Sequence, residues 1–151
     1  MLEKYLTVDH IQLHLQAADW REAIKLAGAP LLASREIEKE YITAMQEAVL
    51  DFGPYMVLAE GFALAHAKPS DLVHTVCISL ITLEPPVNFG NEDFDPVDIL
   101  IAFGTPDSES HIEMLRELAS LLNKPETFTL IRNAKTEQEI ISLFSTSLKK
   151  L

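Results

Sequence analysis

The chain has 151 residues, 48% of them hydrophobic, enough for one core and too apolar for a disordered chain. Its 23 acidic and 12 basic residues give a formal net charge of −11, a surface that repels phosphate backbones and excludes nucleic acid as the expected partner. No apolar run reaches transmembrane length, MLEKYLTVDH lacks a signal-peptide core, and the single Cys77 allows no internal disulfide, so a cytoplasmic protein is expected.

In chain order, IQLHLQ (11–16) alternates Ile11, Leu13 and Leu15 with Gln12, His14 and Gln16, the pattern of a half-buried strand. Asp19 is the expected N-cap of a helix that places Trp20, Ala23, Ile24 and Ala27 on one side. Ser34 is expected to cap a second helix carrying Ile37, Tyr41, Ala44, Met45 and Ala48 at helical spacing, stopped by Gly53-Pro54. YMVLA and FALA then flank Glu60-Gly61, which reads as two strands around a tight turn. TVCISLITL (75–83) and DILIAF (98–103) are apolar on both faces, as strands in the middle of a covered sheet are. Between them PPVNFGNEDFDP reads as a loop of turn formers and acids.

From Ser108 the spacing predicts a helix to about Asn123 that buries Ile112, Leu115, Leu118, Ala119 and Leu122. Pro125 opens a further short segment, and Thr136 with Glu139 forms a capping-box pattern ahead of Ile140, Leu143 and Phe144. No repeat, linker or low-complexity tract interrupts the chain. The expected architecture is α/β: a single domain with a mixed β-sheet flanked by helices on both faces.

Chemistry has few candidates. The acidic loop Glu92, Asp93, Asp95, Asp98 lacks the glycine and terminal glutamate of a calcium loop, and Cys77 sits in an apolar run. No nucleophile elbow, phosphate-binding loop or dinucleotide fingerprint is present. His10 and His14 would stand about 13 Å apart along a strand, too far to share an ion, and read as a solvated strand face. His74 falls in a loop and receives no role. His66 follows a strand and His111 lies near the start of a helix, where sites of α/β proteins collect. A helix start offers N–H groups and favours neutral imidazole. From spacing alone, two readings stay open: polar residues at element boundaries, or a neutral nucleophile with a hydrogen-bonding partner.

Three blocks carry a resemblance. GFALAHAKP resembles the G-I-A-(hydrophobic)-P-H-(A/G) signature of the enzyme IIA component of the bacterial phosphotransferase system, in the mannitol–fructose superfamily. PPVNFGNEDFDPVDILIAFGTPDSESHIEMLRELASLL looks like the ascorbate-type branch, where PVNFG and DPV precede a central strand and S-H-(hydrophobic)-x-x-L opens a helix. With the C-terminal helix, the similarity spans nearly the whole chain, and residues 1–151 are expected to form one EIIA domain.

The resemblance implies a function. His66 takes the place of the phosphorylated histidine and His111 that of the second active-site histidine; Lys68 and Ser110 are accessory candidates. The phosphoryl group would come from the phosphocarrier HPr and pass to a cysteine of the cognate EIIB. It would then reach a sugar crossing the membrane through EIIC, ascorbate or a related pentitol. No metal or other cofactor is implied. Lys68 would neutralise phosphoryl oxygens or stand as a solubilising lysine, and the acidic surface would suit the basic rim of HPr. Related EIIA domains also act as sensors of phosphorylation state that bind other proteins, which is the alternative function. Three positions depart from the family pattern: Ala65 and Glu60 stand where proline is usual, and Ala48 where mannitol-type members tend to carry arginine.

Overall fold

The computed structural model describes the backbone of residues 2–149 and side chains through residue 145; positions 1, 150 and 151 of the expected domain lie outside the described residues. Among the described residues, five strands form one mixed sheet: β1 (Ile11–Leu15), β2 (Val57–Ala59), β3 (Phe62–Ala65), β4 (Cys77–Val87) and β5 (Val97–Gly104), in the spatial order β1-β4-β5-β3-β2. The two runs apolar on both faces are indeed central. β4 pairs antiparallel with β5 from Cys77↔Gly104 to Thr82↔Ile99, and β3 runs parallel to β5 with Ala65 opposite Ala102. β1 joins β4 in parallel, and β2 closes the other edge antiparallel to β3.

Helices cover both faces. Along β5, Leu100 and Ala102 pack with α2 (Trp20–Ala33) and α3 (Lys39–Phe52), through Ile24, Ala27, Leu31, Tyr41 and Met45. Ile99, Ile101 and Phe103 face the other layer, where α1 (Leu2–Tyr5), α4 (Ser108–Leu122), α5 (Pro125–Asn133) and α6 (Glu137–Lys149) supply Leu2, Met114, Leu118, Ile131 and Ile140. A strand sandwiched in this way can bury every residue, which is why its sequence does not alternate. Among the described residues no helix is long and apolar enough to cross a membrane.

Several local expectations are corrected. Asp19 does cap α2, accepting from the Glu22 N–H at 2.9 Å, but Ser34 is the C-cap of that helix rather than the N-cap of the next. Pro30 sits inside α2 and leaves the helix unbroken, so it runs on to Ala33; α3 begins at Lys39 after Glu38. Ile37 therefore lies ahead of the helix, bridged to Val73. Pro85, Pro86 and Val87, read as loop, extend β4. On α4 the buried positions are Met114, Leu118 and Leu121; Ile112 is 56% exposed, because the helix presents a face rotated from the expected one. His10 is not on β1 at all: it ends a short 3-10 turn (Val8–His10) and is buried. His14 does project outward, from a backbone at φ +57° where the β1–β4 register shifts.

Candidate active site

Parallel pairing of β3 with β5 sends both strands out at the same end of the sheet. His66 is the first residue beyond β3, and the chain leaving β5 turns through Thr105 into α4, where His111 occupies the fourth helical position. Two segments 45 residues apart in sequence thus meet, with ring centroids of His66 and His111 5.6 Å apart. Phe103, the next-to-last residue of β5, completes a triangle of rings with them. Its ring stacks on His66 at 5.0 Å and 18° and stands 5.4 Å from His111. Tyr55 meets His66 edge-on at 5.9 Å.

The hydrogen bonds define the tautomer of His66. Its Nδ1 lies 3.0 Å from the Leu64 carbonyl oxygen, which can only accept, so Nδ1 carries the proton and Nε2 keeps a lone pair. Burial lowers the pKa of His66 below its ordinary 6.5; the Leu64 bond opposes this, and the neighbouring His111 adds to the lowering. Burial lowers His111 as well, and its Nδ1 stands 3.3 Å from the buried Thr105 hydroxyl. A neutral imidazole with an in-plane lone pair is a competent nucleophile at neutral pH. Cys77, by contrast, is fully buried with its thiol pushed up to about 12, chiefly by burial, and is inert.

The two histidines open onto a cleft of about 510 Å³ between α3 and the ends of β3 and α4. Lys68 is exposed at its rim, Glu47, Ala48 and Asp51 come from α3, and Phe52 and Tyr55 form an aromatic border. Three of the four expected site residues therefore converge. Ser110 does not: its hydroxyl donates to the Asp107 carboxylate at 2.8 Å and its N–H to the same oxygen, so it completes the N-cap of α4. Those bonds hold the Asp107 carboxyl below its ordinary range. Among the described residues, no group of three or more His, Cys, Asp or Glu side chains converges as a metal site does.

The positions that depart from the family pattern fall in different places. Ala48 is in the cleft wall, so an arginine there would face the histidines. Ala65 is fully buried and held in register with Ala102. Glu60 lies in the β2–β3 turn, at the far end of β3 from His66, with its carbonyl accepting from Arg132 at 2.8 Å. Phe62 and Phe89 are core residues, packed on Phe128 and Trp20. Sequence reasoning missed Phe103, Tyr55 and the acidic pair of α3. It also placed Tyr41 only as an apolar helix position, although a tyrosine on a buried face signals a hydroxyl with a partner.

Residues 4–147 match the family described as "Phosphoenolpyruvate-dependent sugar phosphotransferase system, EIIA 2". The chain is 37% identical over 134 residues to the ascorbate-specific PTS system EIIA component of Escherichia coli K12, covering 88% of this chain and 87% of that protein. In structure it resembles the mannitol-specific cryptic phosphotransferase enzyme IIA of Escherichia coli, with a TM-score of 0.87 and 32% identity over 96% of this chain and 98% of that one. It shares the fold of the Escherichia coli mannitol enzyme IIA solved in complex with phosphorylated mannitol enzyme IIB (TM-score 0.81, 23% identity, 93% and 96% covered).

Proposed function

The chain belongs to the EIIA 2 family of the phosphoenolpyruvate-dependent sugar phosphotransferase system, and we propose that its residues 1–151 form one EIIA domain in which His66 is the phosphoryl acceptor. As an EIIA component it is a phosphotransferase subunit working through a phosphohistidine. The donor is phospho-HPr, the recipient a cysteine of the cognate EIIB.

The observation that carries the reading is the bond from His66 Nδ1 to the Leu64 carbonyl, which leaves Nε2 as the free lone pair. In the first step Nε2 attacks phosphorus; the Nε2–P bond forms as the donor's N–P bond breaks, and the electron pair returns to the donor imidazole. Nδ1 keeps its proton throughout, and the Leu64 oxygen stabilises the positive charge that the phosphorylated ring acquires. In the second step a thiolate of EIIB attacks phosphorus and the Nε2–P pair returns to His66. Transition states of this type are loose, so positioning and charge stabilisation supply most of the acceleration. His111 is proposed to donate a hydrogen bond to the phosphoryl oxygens and Lys68 to neutralise them at the rim. Ser110 acts only indirectly, through the cap that holds the start of the helix bearing His111.

The EIIB partner is supported by the related fold seen with phosphorylated enzyme IIB. Ascorbate or a related pentitol is the proposed sugar, supported by the likeness to an ascorbate-specific EIIA and by alanine at position 48; EIIC is reached only through EIIB. The test is phosphorylation of the full chain by enzyme I, HPr and phosphoenolpyruvate, followed by transfer to ascorbate-type EIIB. Phosphate on His66 that moves to EIIB is expected. No uptake from phospho-HPr overturns the reading, and stable phosphorylation without transfer to any EIIB would favour the regulatory alternative.

A further inference from the structure

Tyr41 is 1% exposed, yet its phenol is a polar group that must be satisfied inside the core. It reaches out of α3 to both segments that build the site. The hydroxyl donates to the Phe103 carbonyl at 2.9 Å and accepts the Ala67 N–H at 3.0 Å. One group therefore ties the residue directly after His66 to the residue whose ring stacks on His66. β3 ends at Ala65, so the sheet no longer holds His66 or Ala67. Tyr41 is the side chain that takes over where the ladder stops, and it does so from a helix on the opposite side of the sheet from α4.

We infer that Tyr41 is a positioning residue for phosphoryl transfer, whose hydroxyl fixes the His66–Ala67 backbone relative to Phe103 and so the direction of the His66 lone pair. The inference rests on His66 being the phosphoryl acceptor. Removing the hydroxyl leaves the Ala67 N–H and the Phe103 carbonyl without this partner and lets the segment after β3 move. Small misplacements of a nucleophile cost roughly 100-fold in rate without altering the docking surface.

The test uses Tyr41→Phe beside Ser79→Ala. The Ser79 hydroxyl makes an equally buried bond, to the Ala27 carbonyl at 2.5 Å, on β4, two strands over from β3 and touching neither His66 nor Ala67. Rapid-quench phosphorylation by phospho-HPr is measured for both, per folded molecule. Tyr41→Phe is expected to lower kcat roughly 10- to 100-fold with KM unchanged, and to shift or broaden the His66 imidazole 15N resonances; Ser79→Ala is expected to do neither. A wild-type kcat in Tyr41→Phe, or an equal loss in Ser79→Ala, overturns the inference. If Tyr41→Phe does not fold, hydrogen exchange of the Ala67 amide in the unmodified protein decides: protection like that of β5 is expected, and free exchange overturns the clamp. Failure of the unmodified protein to accept phosphate would instead strike the proposed function, while the amide measurement would still report on the clamp.

Discussion

Histidines in two regions of this molecule are handled in opposite ways. His10, His14 and His74, around β1 and the entry to α3, each lie beside a carboxylate: Glu36 at 2.5 Å, Glu84 at 3.2 Å and Glu38 at 3.5 Å. At the open ends of β3 and α4 the contacts of His66 and His111 are a carbonyl, a hydroxyl and aromatic rings. Burial against rings favours the neutral form and leaves one nitrogen free. The first group ties segments together; in the second, the bond to the Leu64 carbonyl leaves His66 with its Nε2 lone pair.

Deleting each group breaks the comparison most sharply. His66→Gln is expected to reduce phosphorylation by phospho-HPr by at least about 1,000-fold, read by autoradiography of the quenched reaction. His111→Ala is expected to leave phosphate on His66 but to slow transfer to EIIB roughly 100-fold, the scale of one lost charge-stabilising donor.

Titration tests the site pair. Both site histidines have folded-state pKa values below 6.5, so acid favours the unfolded chain, where these rings protonate first. Their stabilising contribution is complete above about pH 6.5 and is lost as pH falls through that value and then through the folded pKa. The acid limb of the phosphorylation rate should accordingly fall below 6.5, and His111→Asn should move the His66 titration, followed by NMR, upward.

The far end of β3 supplies the structural counterpart. Gly61 turns the hairpin at φ +74°, and an added Cβ would stand 2.3 Å from the Arg132 guanidinium and 2.8 Å from Asp98. Gly61→Ala should cost about 1–3 kcal/mol in urea unfolding while the rate per folded molecule stays unchanged. The smallest effect is expected for His74→Gln, within about 0.5 kcal/mol and with normal transfer, because its contact with Glu38 is half exposed.

Much of this was legible in the chain. Strands buried on both sides announce themselves by unbroken apolar runs, and DILIAF and TVCISLITL therefore marked the sheet's centre. Boundary positions and the three blocks of resemblance singled out His66 and His111. What stayed hidden depends on three-dimensional pairing. Only the parallel register of β3 and β5 brings the two histidines side by side, and only the turn after β3 aims Nδ1 back at the Leu64 carbonyl. Phe103 read as core because its side chain is core; that its ring face stacks on His66 shows only in three dimensions. Ser34 misled because a serine near a helix end fits either side of a cap equally well by sequence; the bond of the Ser110 hydroxyl to the Asp107 carboxylate depends on how the first turn of α4 folds.

The central claim, that the Leu64 carbonyl fixes His66 with Nε2 as the attacking atom, has a direct measurement. Phosphorylated protein carrying 15N-labelled histidine, examined by 15N and 31P NMR, should show phosphorus on Nε2 of His66 and a proton retained on Nδ1. Phosphorus on Nδ1 of His66, or on His111, would contradict it.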